Sequence, residues 1–356
     1  MKRVIKCLLA LLLCVIVAVG AYVAYVFVDY YRLEDMIALA VENDTGAAAQ
    51  TGEVYRAVSS NIGFGAYSAD FGFFMDGGEH ARARSEEEAI RNVTGSINTA
   101  DSVDAQIIFF QEVDVRGHRS RFVDQRAMIA DHFADRSLIF AQNYDTPYLF
   151  YPIHEPMGSA ESGIMTVTDF GVTSALRRSL PIDTSVMKLL DLDRCYTVSR
   201  AEVDNGRELV IYNVHLSAYT ADESIVHGQI EMLAADMSAE YAAGNYVVCG
   251  GDFNCDLPGD SMELFGVYGD YIWAKPFDTS LLPEGLSLIP PVDRNDPVPS
   301  ARNADGEYVK GDSFVVTLDG FIVSDNVEVI ASDVIDTGFE FSDHNPVYLD
   351  FVLLDE

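Results

Sequence analysis

The sequence predicts an α/β domain built on mixed β-sheets and preceded by one N-terminal transmembrane helix. Three observations support this prediction: an uncharged apolar stretch near the N-terminus, a series of short apolar runs, and helical patterns between some of them. The chain has 356 residues, 49% of them hydrophobic. That is enough chain for one large domain with a buried core.

The N-terminal stretch has the length and flanking charges of a membrane anchor. Residues 7–28 carry no charge, and as a helix they extend about 33 Å, enough for a bilayer core of about 30 Å. Three basic residues precede the stretch and Asp29 follows it. The positive-inside rule places the N-terminus in the cytoplasm and the residues after the stretch outside it. The expected location is therefore the cell membrane, as a single-pass protein. A cleaved signal peptide is the alternative, with small residues at 18–24 as a weak cleavage site.

The chain is expected to divide into three parts. Residues 1–35 form a cytoplasmic stub and the anchor, residues 36–53 a polar linker, and residues 54–356 the folded domain. Within that domain, residues 283–312 contain five prolines and are expected to form a long surface loop, a kind of segment that is often functional.

Short apolar runs and helical patterns follow one another along the folded domain. A capping box, Ser85 with Glu88 three residues later, predicts the start of the first helix. Strands are expected at 54–59, 105–110, 163–168, 208–216, 245–249, 313–323 and 346–354, and helices at 85–99, 124–133 and 223–243. Several strands follow one another without a helix between them, which indicates mixed sheets and not a strictly parallel one.

The net charge of −33 limits the class of partner. So acidic a chain is repelled by nucleic acid and by anionic lipid unless a local patch or a metal reverses the field. A nonspecific nucleic-acid coat protein is therefore disfavoured.

The cysteines do not form a disulfide framework or a zinc site. Two of the five lie in the N-terminal stretch, which leaves Cys195, Cys249 and Cys255. Cys249 and Cys255 flank a polar motif and could pair, although packing as small buried side chains is the favoured interpretation.

Polar residues end or interrupt several of the apolar runs. Taken one at a time, most of these residues are expected to be ordinary polar residues at the ends of strands. Asp319 differs because it interrupts the apolar run 314–323, where an unpaired carboxylate is costly, and a histidine is its expected partner. The full set has four carboxylates, two amides and two imidazoles: Glu112, Asp252, Asp319, Asp343, Asn61, Asn254, His215 and His344.

This set of side chains suits metal-assisted cleavage of phosphoesters. A hard cation such as Mg²⁺ prefers oxygen ligands, the phosphate transition state needs neutralising charge and hydrogen-bond donors, and an imidazole base needs a carboxylate to fix its tautomer. No zinc-type spacing is present. The pair Gly250-Gly251 is too short for a phosphate-binding loop.

Four motifs, in this order, resemble the endonuclease/exonuclease/phosphatase family, which includes DNase I, the abasic-site endonucleases, inositol polyphosphate 5-phosphatases and neutral sphingomyelinases. They are Gln111-Glu112, Asn213-Val-His215-Leu, Gly-Asp252-Phe-Asn254 and Ser-Asp343-His344-Asn-Pro. The resemblance extends from about Tyr55 to Phe351. It implies a four-layer α/β/β/α sandwich of two packed mixed sheets, with the site at one edge.

The resemblance also implies a metal site. Glu112 corresponds to the main metal ligand, with Asn61 beside it and Asp343 on the metal or its waters. The expected ion is Mg²⁺, with Mn²⁺ or Ca²⁺ as substitutes.

The remaining residues correspond to the proton-transfer and substrate groups. His344 is the implied general base, oriented by Asp319. His215 is implied to hydrogen-bond the phosphate and to stabilise or protonate the reacting centre. Asp252 positions the water or a second metal, and Asn254 donates to a phosphate oxygen.

These motifs predict a phosphoester hydrolase, while the substrate stays open. The anchor and the acidic surface favour a phosphodiesterase that acts outside the cytoplasm on a lipid head group or small phosphodiester. An extracytoplasmic endonuclease is the first alternative. A non-catalytic binding module is the second, although it predicts lost motif residues and none is lost. No protein partner is implied.

Two departures from the family pattern concern the substrate. The run 163–168 lacks the family's usual Ser-Arg ending. Arg200 and Arg302 are possible phosphate contacts, but surface ion pairs are the favoured interpretation for both.

Overall fold

The computed structural model describes residues 2–189, 192–218, 223–268 and 274–355. The α-helices in these residues are α1 (Lys2–Asp29), α2 (Glu86–Asp101), α3 (Gln125–His132), α4 (Glu223–Ala242) and α5 (Ser261–Phe265). The β-strands are β1 (Ile37–Ala38), β2 (Val41–Glu42), β3 (Val54–Asn61), β4 (Ile107–Gly117), β5 (Ser137–Leu149), β6 (Gly158–Thr168), β7 (Val172–Ser179), β8 (Cys195–Glu202), β9 (Glu208–His215), β10 (Tyr246–Asp252), β11 (Leu286–Ile289), β12 (Ala301–Arg302), β13 (Val315–Val316), β14 (Asp319–Ser324), β15 (Val327–Val334) and β16 (Val347–Leu353).

Two seven-stranded mixed sheets form the middle of the domain. The first sheet has the order β1-β7-β8-β9-β10-β14-β11, and the second has the order β15-β16-β3-β4-β6-β5-β2. The neighbouring strands β9 and β10 are parallel in the first sheet, as are β3 and β4 in the second, and the other named neighbours are antiparallel. The predicted pair of mixed sheets is confirmed.

Three apolar clusters hold the layers together. Phe109 of β4 and Phe321 of β14 belong to the cluster that packs between the sheets. Helix α4 covers the outer face of the first sheet with residues such as Leu233. Helices α2 and α3 cover the outer face of the second sheet, where Val93 and Ile129 are fully buried. The result is the four-layer sandwich that the family resemblance implied.

Helix α1 is long and apolar enough to cross a membrane, with a mean hydropathy of 2.8. A signal sequence near an N-terminus satisfies the same criteria of length and composition. The anchor and its orientation therefore remain predictions.

Residues 36–53 join the folded domain, so the expected linker was wrong. Strand β1 pairs with β7 at the edge of the first sheet, and β2 pairs with β5 at the edge of the second. Ala49 is buried in the cluster between the sheets. Main-chain pairing needs no apolar side chain, which explains why a polar segment can supply two edge strands.

The proline-rich stretch 283–312 is also more ordered than the expected surface loop. Strand β11 forms one edge of the first sheet, and β12 is buried and pairs with β13. Ser300, immediately before β12, is fully buried. Prolines 283, 290 and 291 lie outside the short strand β11, where their missing N–H groups cost no ladder hydrogen bond.

The glycine pair in β10 has a packing role. A Cβ atom on Gly250 would lie 2.5 Å from the Phe109 ring, and one on Gly251 would lie 2.0 Å from a main-chain oxygen. Cys249 and Cys255, on either side, are buried and unpaired. The disulfide alternative was therefore wrong, and packing as buried side chains is confirmed.

Strand direction brings the predicted polar residues to a single edge. Asp252 ends β10 opposite His215, which ends the parallel strand β9. Asp319 begins the antiparallel strand β14 opposite Asp252. In the second sheet, Asn61 ends β3 opposite Gln111 of the parallel strand β4. The ends of these strands form the candidate site.

Candidate active site

His344 and Asp319 form a hydrogen-bonded pair that joins the two sheets. Nδ1 of His344 lies 2.8 Å from Oδ2 of Asp319. Asp319 begins β14 of the first sheet, whereas His344 lies in the loop before β16 of the second. The other ring nitrogen, Nε2, lies 3.8 Å from Oδ2 of Asp252. The expected histidine partner of Asp319 is confirmed.

Ser300 fixes the position of Asp319. Its Oγ donates to Oδ2 of Asp319 at 2.7 Å and accepts the main-chain N–H groups of Leu318 and Asp319 at 2.9 and 3.1 Å. The main-chain oxygen of Ser300 accepts a hydrogen bond from Asn345, next to His344, at 2.7 Å. Sequence analysis missed Ser300 because it lies in the stretch expected to be a surface loop.

Asn61 orients two carboxylates. Its Nδ2 donates to Oδ2 of Asp252 at 3.0 Å and lies 3.5 Å from Oε1 of Glu112. Its Oδ1 accepts the main-chain N–H of Gly63 at 3.0 Å. Asn61 thus lies beside Glu112, as the family resemblance implied, and its part in binding a metal stays a prediction.

A β-bulge in β4 directs Glu112 into the site. The pairing of β4 with β6 shifts register between Phe110 and Val113, and Glu112 has a φ of 56°. A bulge reorients the side chain at that position, and a left-handed backbone at a non-glycine residue costs roughly 1–3 kcal/mol. Glu112 is partly exposed, whereas most of β4 is buried.

His215 and Asn254 lie on either side of the Asp252 carboxylate. Nε2 of the buried His215 is 3.5 Å from Oδ2 of Asp252, and its Nδ1 has no hydrogen-bond partner among the described residues. The main-chain N–H of Asn254 donates to Oδ1 of Asp252 at 2.9 Å, and its side-chain amide donates to the oxygen of Leu216 at 2.9 Å. The second amide hydrogen of Asn254 is compatible with a phosphate contact.

Burial raises the pKa of three carboxyl groups at this edge. The pKa of Glu112 is raised by burial, against the charge of Arg119, and Asp343 raises it further. Burial raises the pKa of Asp252 to about 7, with His344 opposing the shift, and burial also raises the pKa of Asp343. A cation among these groups would stabilise their charged forms.

The pKa values of the two histidines shift in opposite directions. Burial lowers the pKa of His215 well below its ordinary value, and the charge of Arg194 adds to this effect. Burial also disfavours the charged form of His344, but Asp319 and Asp252 outweigh it and raise the pKa of His344 well above its ordinary value. The shifts favour the neutral form of His215 and, without a metal, the protonated form of His344.

Two groups of side chains offer ligands for a divalent cation. Asp252, Asp319 and His344 each place one ligand atom within 4.8 Å of the others. The hydrogen bond between Asp319 and His344 would have to break for both to ligate the same ion. Glu112 and Asp343 are partly exposed and close enough for Asp343 to affect the pKa of Glu112. A hard cation prefers the oxygens of these two carboxylates to a group that includes an imidazole nitrogen.

Two buried arginines supply positive charge that sequence analysis did not identify. Arg119 forms an ion pair with Asp114 at 2.8 Å and lies over the Phe64 ring at 4.2 Å. The charges of Arg119 and Arg194 both act on Glu112. The acids at positions 112 and 114 could have indicated a basic partner, because a buried acid such as Asp114 needs one.

The two arginines predicted as possible phosphate contacts have partners within the protein. Arg200 forms ion pairs with Glu208 and Glu240, as favoured. Arg302 is buried and donates to main-chain carbonyl oxygens, so the surface ion pair expected for it was wrong.

The fold and the site agree with the family resemblance. A sandwich of two mixed sheets, with a carboxylate–histidine pair and further carboxylates at one edge, defines the class of protein. The model of the Endonuclease/Exonuclease/phosphatase family matches residues 58–344. The chain belongs to this family.

Solved structures share the fold at low sequence identity. The complex of ANGEL2, a 2',3'-cyclic phosphatase, with adenosine-2',3'-vanadate is 15% identical, with a TM-score of 0.56 over 89% of this chain and 99% of that chain. The human Nocturnin catalytic domain with bound sulfate is 17% identical, with a TM-score of 0.51 over 88% and 97%. An endonuclease/exonuclease/phosphatase from Bacteroides vulgatus is 14% identical, with a TM-score of 0.53 over 85% and 99%. No curated protein sequence matches the chain significantly.

Replacing Asp319 with Asn should lower the pKa of His344. The variant removes the negative charge that raises this pKa and retains a side chain of similar size. An NMR titration of the imidazole in metal-free protein measures the shift. Asp325→Asn, in the exposed turn that follows the same strand, is the control and should leave this pKa unchanged. An unchanged pKa of His344 in Asp319→Asn would contradict the assignment.

Proposed function

We propose that this protein is a metal-dependent phosphoester hydrolase in which His344 activates water. The observation that supports this proposal most directly is the 2.8 Å hydrogen bond between Asp319 and Nδ1 of His344. A cation bound at this edge would favour the neutral ring of His344. With its Nδ1–H donating a hydrogen bond to Asp319, the neutral ring has Nε2 free as a proton acceptor. Because Asp319 is held by Ser300, the tautomer and the orientation of the ring are both constrained.

The residues around Nε2 suit the remaining tasks of hydrolysis. Asp252, 3.8 Å from Nε2, is proposed to position the attacking water. Neutral His215 is proposed to donate a hydrogen bond to a phosphate oxygen, since burial keeps its pKa low. Asn254 would contribute its second amide hydrogen to the phosphate. Donors placed before the reaction stabilise charge that develops in the transition state.

Glu112 and Asp343 are the proposed ligands of Mg²⁺, for which Mn²⁺ or Ca²⁺ could substitute. Both are partly exposed carboxylates whose pKa values are raised chiefly by burial, and a cation would relieve the cost of their charges. When bound, a divalent ion neutralises charge on the phosphate and promotes ionisation of water. Asn61 would keep Glu112 oriented through the contact at 3.5 Å.

The proposed substrate is a lipid head group or another small phosphodiester outside the cytoplasm. Helix α1, if it is retained as an anchor, keeps the domain at a bilayer surface. The net charge of −33 opposes the approach of a nucleic acid. The similar structure of a 2',3'-cyclic phosphatase supports phosphoester chemistry on this fold.

Hydrolysis of bis-p-nitrophenyl phosphate should require a divalent metal and Glu112. We expect turnover with Mg²⁺, loss of turnover in EDTA, and a fall in kcat/KM of about a hundredfold or more in Glu112→Gln, because a metal ion contributes several kcal/mol to catalysis. Glu328→Gln, at an exposed position of β15, is the matched control. Turnover that persists in EDTA would overturn metal dependence, and near-normal activity of Glu112→Gln would overturn the role of Glu112.

One comparison at equal enzyme concentration distinguishes a lipid substrate from a nucleic acid. The full chain in detergent is given sphingomyelin, plasmid DNA and RNA, and phosphate-ester cleavage is followed in each. We expect the lipid to be cleaved fastest, because the acidic surface repels the two polyanions. Faster cleavage of DNA would overturn the lipid assignment and favour the endonuclease.

A further inference from the structure

The loop after β5 exposes three large apolar side chains within four residues. Phe150, Tyr151 and Ile153 are 58%, 69% and 87% exposed. Single exposed apolar residues are normal, but a contiguous group marks an interaction surface. The domain buries most of its large apolar side chains in its core, whereas this group is exposed. We therefore expect this group to contact a partner.

The apolar surface continues on either side of this loop. On one side, the ring of Tyr148 lies 5.0 Å from that of His118, which lies 4.7 Å from the exposed ring of Phe122. On the other side, the ring of Tyr151 lies 5.6 Å from that of Phe74, whose neighbour Met75 is 62% exposed.

Helix α1 contacts this same surface. The Tyr22 ring lies 5.2 Å from the Phe150 ring, and the Tyr22 hydroxyl donates to the main-chain oxygen of Tyr148 at 3.1 Å. The main-chain N–H of Tyr148 donates to the Tyr25 hydroxyl at 3.0 Å. The exposed loop is therefore continuous with the apolar helix.

The position of these contacts along α1 sets the depth of the loop in a bilayer. Tyr22 precedes Val28, the last residue of the uncharged stretch, by six positions, which is about 9 Å along a helix axis. If α1 spans the bilayer, its contact with Tyr148 and Phe150 holds the loop up to about 9 Å inside the end of that stretch. Interfacial elements enter the head-group and acyl boundary by about 5–10 Å, and tyrosines are enriched at this depth.

We propose that residues 148–153 form an interfacial loop that enters the bilayer beside α1, with Phe122 and Met75 at its margin. The proposed partner is a zwitterionic lipid surface, because a chain with a net charge of −33 is repelled by an anionic leaflet. This inference rests on the anchored state in the proposed function, and it does not depend on the chemistry of the site.

The interfacial loop also lies near the catalytic edge. Phe74, which packs on Tyr151, belongs to the short turn Phe74–Asp76. The Phe74 ring also contacts that of Phe73, which lies 5.5 Å from the Tyr67 ring, and a Cβ atom on Gly63 would lie 2.6 Å from Tyr67 and 3.0 Å from Oδ1 of Asp343. A loop in the interface would thus bring the site close to lipid head groups, where a head-group phosphodiester is presented.

Quenching of a single tryptophan by brominated acyl chains tests this proposal. The full chain, with its one tryptophan removed by Trp273→Phe, is reconstituted into phosphatidylcholine liposomes that contain brominated lipid. Ile153→Trp reports on the loop, and Ile330→Trp is the matched control. Ile330 is 53% exposed on β15, at the opposite edge of the second sheet from β5 and β2.

We expect strong quenching at position 153 and little at position 330. No quenching at 153, or equal quenching at both positions, would overturn the interfacial loop. Replacing part of the phosphatidylcholine with phosphatidylserine should leave the quenching unchanged or weaken it, and stronger quenching would overturn the zwitterionic assignment. Because the readout is fluorescence, an active enzyme without quenching refutes only the loop, and an inactive enzyme with quenching refutes only the hydrolase.

Discussion

The hydrogen bond between Asp319 and His344 connects two sheets whose facing surfaces are largely apolar. Asn61 makes a second connection at the same edge, through Asp252 of the first sheet. Gln111, in the bulge of β4, donates to a buried asparagine of β9 at 2.9 Å and makes a third. Buried polar groups are costly unless they are paired. The register of both sheets must therefore be correct at once for the site to form.

The charges of the site explain how an acidic protein can process a phosphoester. Several carboxylates meet at one edge, where burial already raises the pKa values of Glu112, Asp252 and Asp343. Buried arginines supply some positive charge: Arg119 acts on Glu112, and Arg302 acts on Asp343. An anionic substrate would be repelled by such a site on its own, and a divalent cation reverses the local field.

Features that depend on residues close together in the chain could be predicted from the sequence. The capping box predicted the start of α2, where the Ser85 side chain accepts the main-chain N–H of Glu88. Polar residues at the ends of apolar strands predicted the members of the site, and the family resemblance implied its location at one edge. Contacts between distant segments could not be predicted from the sequence. Ser300, for example, reaches Asp319 only when β12 and β14 are folded. The edge strands in 36–53 were missed because main-chain pairing leaves little trace in composition, and β5 was missed because polar residues interrupt it.

A double-mutant cycle on Asp319 and His344 tests the central claim most directly. The values of kcat for Asp319→Asn, His344→Ala and the double variant are compared with wild type, using the phosphodiester assay with Mg²⁺. If Asp319 acts only through His344, the double variant should lose no more activity than His344→Ala alone, a loss of about 10²–10⁴-fold. Losses that multiply in the double variant would show independent roles and contradict the account.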